Sequence, residues 1–394
     1  MHNNTSFPPP EDLLIRRKQV QSLLAEQGAD ACLIHSFVNI YYLAGRAFDG
    51  YIYLPREGSE ICFVRKAGTF EDEKSVPIRK PEDLPALLKE RSIPSPRILG
   101  LETDQLNYNE CLRLQATFNP EKTVNATHIL RRSRMIKTAW EIEQFRYSAL
   151  RHSEVYEKIP SLFRHGMCDL DFQYEIENTM RRHGSIGIFR AAGSNMDIFM
   201  GSLLTGDNAA IPSPCDFALG GAGPHACLPI GASGNAIRPG QAVMVDMAGN
   251  FTAYMTDMTR VFACGALPEA AYEAHRVSID MHGWLMENGK PGLSCARIYE
   301  QSLMMAQDAG FAECFMGTVQ QAKFTGHGVG IEINELPVLT GRSKDVLQAG
   351  MMIAFEPKFV LPGTGALGIE NTYLVTETGM EKITVFNENI IPLP

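Results

Sequence analysis

No apolar stretch in this chain of 394 residues approaches the ~20 that a membrane-spanning helix needs. A long basic run is missing too. Lys and Arg number 36 against 45 Asp and Glu, a net charge of −9, which argues against a nucleic-acid binder working through phosphates. No CxxC occurs among the nine cysteines, and an odd number cannot all pair internally, so neither a disulfide framework nor a thiolate zinc site is indicated. The opening residues, MHNNTSFPPPEDLLIRRKQV, lack the apolar core of a secretion signal. These absences predict a cytoplasmic protein with reduced thiols and no membrane or nucleic-acid partner. What is present is ordinary for a folded protein: 45% hydrophobic and 21% charged residues. The length exceeds the roughly 250–300 residues at which a single core usually divides, so two domains are expected.

Leu13, Leu14, Val20, Leu23 and Leu24 fall near helical spacing ahead of Gly28, which predicts a helix over 11–27. Ala31–Ile34, Ile52–Leu54, Ile61–Val64 and Ile98–Leu101 read as buried strands of a small α/β layer domain with no visible chemistry of its own. Thr138 and Glu141 fit a capping box that opens a second region. Ile142, Phe145, Ala149, Tyr156 and Ile159 then follow one helical face until Pro160, which should stop it. Another helix is predicted over Leu170–Arg182, closed by Gly184. The boundary falls between about 125 and 137, giving domains 1–130 and 131–394.

The most informative stretch is AVMVDMAGNFTAYMTDMTRVFACG, residues 242–265. Ala242, Met244 and Asp246 share one strand face, and Val243, Val245 and Met247 the other. A hairpin centred between Phe251 and Thr252 sets Asp246 directly opposite Asp257, with Cβ atoms ~4.5–5.5 Å apart. Two bare carboxylates at that distance repel unless a cation sits between them. MMIAFEPKFVLPGTGALGIENTYLV, residues 351–375, repeats the device: a hairpin centred on Gly363 sets Glu356 opposite Glu370. Between the two lies FTGHGVGIEINELPVL, residues 324–339, where glycines flank His327 and leave its ring unobstructed. Four carboxylates and one imidazole suit two divalent cations of the Mn, Co, Fe or Zn type. Two such ions and a hydroxide between them would nearly balance the carboxylate charge, and such a pair activates water for hydrolysis of a carbonyl compound.

These segments resemble the pita-bread metallohydrolases: methionine aminopeptidase, proline aminopeptidase, prolidase and creatinase. VDMAGNFTAYMTDMTR is similar to that family's aspartate hairpin, TGHGVGIEINE to its histidine segment, and FEPKF with GIENTYLV to its glutamate strands. ADACLIHSFVNIYYLAG and MIKTAWEIEQFRYSA resemble the N-terminal domain and the catalytic entry helix of the creatinase/prolidase branch. The resemblance implies an α/β N-terminal domain followed by an α+β pita-bread catalytic domain with pseudo-twofold symmetry. It also implies Asp246, Asp257, His327, Glu356 and Glu370 as ligands of a dinuclear centre. Asp257 and Glu370 would bridge, Asp246 would hold one metal, and His327 and Glu356 the other. Glu356 would also shuttle the proton of a metal-bound hydroxide. The implied activity is that of an Xaa-Pro exopeptidase, and the implied assembly is a homodimer whose N-terminal domain helps close a neighbour's site.

The pattern breaks at two positions where family peptidases carry substrate-contacting histidines. Ile230 in CLPIG takes one place, and Asn334, seven residues beyond His327, the other. Asparagine can hydrogen-bond but cannot shuttle a proton near neutral pH, and isoleucine can do neither. His225 either compensates or is a loop residue facing solvent. Arg260, on the strand face opposite Asp257, either anchors a carboxylate or is a surface group. Gly220–Gly223 has only the composition of a phosphate loop, since no Lys-Ser/Thr follows. Met255, Met258, Met304, Met305, Met351 and Met352 read as core filling, and neither Cys227 nor Cys264 is marked as a nucleophile. Three readings stay open: a peptidase; a creatinase-like C–N hydrolase or small-molecule lyase on the same scaffold; and a silent binding module, which would need none of the five ligands.

Overall fold

The computed structural model describes residues 7–66, 75–193 and 198–394. Contacts divide the chain into two compact units, one ending at Arg134 and the other beginning at Met135. Among the described residues no helix is long and apolar enough to cross a membrane.

The first unit opens with α1 (Pro10–Glu26), ended near Gly28 at φ +66°, and continues through β1 (Ala31–Ile34) into α2 (Phe37–Ala44). The strands β2 (Gly50–Pro55), β3 (Ile61–Val64) and β4 (Ser75–Pro77) precede α3 (Leu84–Glu90) and β5 (Ile98–Leu101). The unit closes with α4 (Tyr108–Phe118), β6 (Lys122–Asn125) and α5 (Ala126–Ser133). All six strands form one sheet in the order β4-β3-β2-β1-β5-β6. The predicted strands are its four central members, where apolar runs are buried on both faces. The edge strands β4 and β6 were not predicted, because SVP and KTVN carry no such run. One buried carboxylate, Glu102, is consumed locally. It accepts from the Ser36 amide at 2.8 Å, the Ser36 hydroxyl at 2.6 Å and the Asn39 amide at 2.6 Å, which fixes the start of α2.

In the second unit helices precede strands, twice. The first round is α6 (Ala139–Tyr156), α7 (Ile159–Leu162), α8 (Asp169–Arg182), β7 (Gly201–Thr205), β8 (Gln241–Gly249) and β9 (Thr256–Cys264). The second is α9 (Glu269–Asn288), α10 (Cys295–Asp308), β10 (Gly326–Gly328), β11 (Glu335–Val338) and β12 (Met352–Phe355). It ends with β13 (Lys358–Leu361), β14 (Gly365–Gly368), β15 (Asn371–Val375), β16 (Met380–Lys382) and β17 (Ile391–Pro392). Val243, Val245 and Phe262 pack under Tyr156, Phe172 and Ile176, while Phe355, Phe359 and Tyr373 pack under Met281, Leu285 and Ile298. The Thr138–Glu141 capping box forms as expected. Pro160 corrects one expectation: α6 stops at Tyr156, and the proline sits in the first turn of α7, where its missing N–H costs nothing.

The first hairpin corrects another. Asp246 faces Thr259, and Asp257 faces Ala248, so the two aspartates are diagonal rather than opposite. The register is displaced by two residues because Asn250 to Met255 form a longer loop than the assumed turn. A two-residue shift leaves side chains on the same face, so both aspartates still point inward. The second hairpin keeps the expected register through an interruption. Phe355 pairs with Asn371 on one side and Lys358 with Gly368 on the other, which sets Glu356 across from Glu370 in the gap. There the Glu356 amide bonds Thr325 at 2.9 Å, and Glu370 exchanges backbone bonds with Thr259 at 3.2 and 3.3 Å.

The buried face of α6 includes His152, whose Nδ1 lies 3.1 Å from the Thr256 hydroxyl of β9. Burial, then the nearby Arg260 charge, pushes this imidazole down to about 3. Its neutrality therefore contributes stability above the ordinary histidine value near 6.5, and that contribution is lost as pH falls from 6.5 towards 3. The stability advantage of wild type over His152→Gln should accordingly shrink on acidification below 6.5, by up to ~1.4 kcal/mol per pH unit. Urea unfolding followed by tryptophan fluorescence measures this in the second unit alone, because Trp140 and Trp284 are the only tryptophans. A difference independent of pH would contradict it.

Candidate metal centre

Four separate segments deliver the charged side chains. Asp246 comes from β8, Asp257 from β9 and His327 from β10, while Glu356 and Glu370 come from the gap in the second hairpin. Their ligand atoms form two overlapping groups, Asp257–His327–Glu370 and Asp246–Glu356–Glu370, each with all atoms within 4.8 Å of one another. Glu370 belongs to both. Burial is deep, with 1% of Glu370, 4% of Glu356 and 8% of Asp257 exposed.

Into the second group projects a residue that the sequence reading passed over. Lys358 Nζ donates to Asp246 Oδ2 at 2.8 Å, Glu356 Oε2 at 2.7 Å and Glu370 Oε2 at 3.0 Å. The signal was available: Lys358 is two residues beyond Glu356, and in an extended segment that spacing puts both on one face.

The first group fits a divalent ion. His327 Nδ1 lies 3.0 Å from the Gly328 carbonyl, which can only accept, so Nδ1 carries the proton and Nε2 offers its lone pair. Nε2 is 3.4 Å from Glu356 Oε1 and 3.9 Å from Asp257 Oδ2. Glu370 Oε1 is buried with no hydrogen-bond partner, whereas its Oε2 also accepts from the Thr259 hydroxyl at 2.8 Å. An imidazole nitrogen with hard carboxylate oxygens is the donor chemistry of Mn, Fe, Co or Zn.

Electrostatics reflect the crowding of like charge. Burial, then repulsion from Glu370, Asp246 and Glu356, lifts Asp257 well above the usual carboxylate range. Burial and the Glu356 charge carry Glu370 up to about 8. Burial would raise Glu356 as well, but the Lys358 ammonium and the His327 ring bring it down to about 2. For His327 burial works downward, and the Glu356 hydrogen bond and charge overcome it, so the imidazole ends above its ordinary value.

The remaining candidates lie outside this cluster. His225 is exposed, and its Nδ1 accepts from the Cys227 amide at 3.2 Å within its own loop. Ile230 is 1% exposed and belongs to the apolar interior. Asn334 does not present a free amide: its Oδ1 accepts from the Ala192 amide at 2.7 Å and its Nδ2 donates to the Ala192 carbonyl at 2.8 Å. Gly223, at φ +71°, lets the 220–223 segment pass so close that a Cβ there would lie 1.9 Å from the Leu228 carbonyl oxygen. Met255, Met258, Met351 and Met352 are buried, but Met304 is exposed and fills no core.

Arg260 needs the fullest correction. It is neither a surface group nor a carboxylate anchor, but is fully buried. Its guanidinium donates to the carbonyls of Thr259 at 2.8 Å, Glu370 at 2.9 Å, Asn387 at 2.9 Å and Phe386 at 3.3 Å, and to Asn371 Oδ1 at 2.8 Å. It therefore pins the backbone that carries Glu370 to β9 and to the C-terminal segment.

Residues 143–377 match metallopeptidase family M24, and residues 16–136 match the creatinase/prolidase N-terminal domain. An Xaa-Pro dipeptidase of Pyrococcus furiosus is 23% identical over 375 residues, 94% of this chain and 97% of that protein. A crystal structure of the prolidase from Pyrococcus horikoshii superposes with a TM-score of 0.78 at 22% identity, covering 95% of this chain and 99% of its own. An Xaa-Pro dipeptidase from Bacillus anthracis gives 0.78 at 24% identity, covering 97% and 100%.

Arg260→Met would strand buried carbonyls, each unmet group costing ~1–3 kcal/mol. We expect a loss of at least ~3 kcal/mol in urea unfolding followed by tryptophan fluorescence. An unchanged midpoint would show that the guanidinium does not hold this joint together.

Proposed function

Because the chain belongs to metallopeptidase family M24, and so to the metal-dependent hydrolases, we propose that it is an exopeptidase acting at Xaa-Pro bonds. The observation that carries this reading is the convergence of the buried Asp257, Glu356 and Glu370 with the partly exposed Asp246 and His327 in two overlapping groups. The names of the relatives, Xaa-Pro dipeptidase and prolidase, support the substrate class. The reading includes a creatinase/prolidase-like domain over 1–130 and a catalytic domain over 131–394.

Asp257, His327 and Glu370 would hold a divalent ion of the Mn, Co, Fe or Zn type. Such an ion supplies a water of lowered pKa and a Lewis acid for the scissile carbonyl. His327 is oriented for this by its Nδ1–H bond to Gly328, and Glu370 by Thr259 and Arg260. Glu356, ionised at neutral pH, takes the proton of the attacking water on Oε1 and delivers it to the leaving nitrogen. Isoleucine at 230 cannot move a proton, and Asn334 is held by the Ala192 backbone, so this work is assigned to Glu356.

Ile230 and Asn334, standing where family peptidases carry substrate-contacting histidines, favour a second reading, a creatinase-like C–N hydrolase or a lyase acting on a small polar substrate. A panel of Xaa-Pro dipeptides, blocked peptides and small amides separates the two, with Glu356→Gln as background. We expect metal-dependent cleavage of an Xaa-Pro dipeptide that Glu356→Gln lowers by ~10²–10⁴. Turnover of the peptides at the Glu356→Gln level, with a small amide cleaved faster, would replace the peptidase reading by the second one. The reading further includes a homodimer, the commonest closed assembly. Light scattering should then give twice the 43.6 kDa chain mass, and the mass of one chain at micromolar concentration would remove it.

A further inference from the structure

We propose that Lys358 is a resident cation of this centre: its ammonium fills one of two cation positions, so the chain takes one divalent ion rather than two. The inference rests on the proposed reading of the five residues as a metal centre.

The two donor groups share Glu370 and otherwise differ in what they hold. Asp246, Glu356 and Glu370 each direct one oxygen at Lys358 Nζ, at 2.8, 2.7 and 3.0 Å. Metal–carboxylate bonds are ~2.0–2.2 Å long, so an ion bound by the same three oxygens would press against the ammonium. The oxygens cannot serve both. Asp246 is committed most clearly, because it belongs only to this group.

Lys358 has no nearby alternative. Its side chain is fully buried, and it opens β13 paired with Gly368. Its carbonyl accepts from the Met316 amide at 2.8 Å, which fixes the strand from the other side. The strand therefore aims the stem at the carboxylates. Withdrawing the fully buried ammonium from these carboxylates would leave a charge without its three partners in a low-dielectric interior.

The other position has the opposite character. Glu370 Oε1, on a side chain only 1% exposed, has no hydrogen-bond partner. Glu370 also belongs to the group completed by Asp257 and His327, whose Nε2 lone pair is held available by the Gly328 carbonyl. One position is filled by the chain itself, and one is left for an ion.

The test is a count. Protein incubated with Co²⁺ and desalted should carry one cobalt per chain by elemental analysis, with the absorption spectrum of a single site. Asp246→Asn should retain that cobalt, because Asp246 serves Lys358. Asp257→Asn should lose it. Lys358→Gly, which vacates the second position, should raise the count from one to two. Two cobalts on the wild-type protein would overturn the inference while leaving the metal-centre reading intact. No cobalt on any form would overturn both. Loss of the ion in Asp246→Asn, or a folded Lys358→Gly that still holds one, would also overturn the inference. Should Lys358→Gly not fold, the wild-type count and the Asp246→Asn count decide the question.

Discussion

Four carboxylates, three of them buried, meet at one centre, and their mutual repulsion is the constraint around which the catalytic unit is arranged. Left alone, such a cluster would take up protons, as the raised values of Asp257 and Glu370 indicate. The fold answers with two fixed positive charges and a titratable imidazole. Lys358 pairs directly with three of the acids. His327 faces Glu356 and Asp257 through Nε2. Arg260 stays behind the cluster and binds backbone carbonyls, including that of Glu370. A divalent ion, which membership of metallopeptidase family M24 implies, would be the remaining counter-charge, and Asp257 is the one acid that makes no ion pair with Lys358.

How legible this was depends on which physical rule each residue obeyed. The inward face of both hairpins followed from the period-two alternation of strands, which survives a shift of two residues. Asp246 and Asp257 were thus brought to one face although their predicted pairing was wrong. Glu356 and Glu370 were placed by a register that the structure keeps on both sides of an interruption. The interruption itself was not legible, since it depends on bonds to Thr325 and Thr259, distant in the chain. Lys358 was legible and overlooked: a motif read for its acids draws the eye past a base between them. Arg260 and Asn334 were not, because a sequence does not say whether a long polar side chain turns to solvent, to a carboxylate or to a backbone carbonyl.

The first unit illustrates the opposite lesson. Its central strands are plain in the sequence because apolar runs buried on both faces need no partner to be recognised. Glu102, its most deeply buried acid among the described residues, is fully engaged by Ser36 and Asn39, so burial of a carboxylate alone does not mark chemistry. What distinguishes Glu370 is an oxygen left over.

The contact between Thr259 and Glu370 joins the two halves of the catalytic unit through two backbone bonds and one side-chain bond. It is one stitch of a seam: Asp257 and Thr372 exchange bonds at 2.9 and 3.0 Å, and the Ala242 amide reaches the Thr364 carbonyl at 2.8 Å. A seam closed at several points cannot part at one of them. The acids drawn from the two halves therefore keep a single spacing before any substrate arrives.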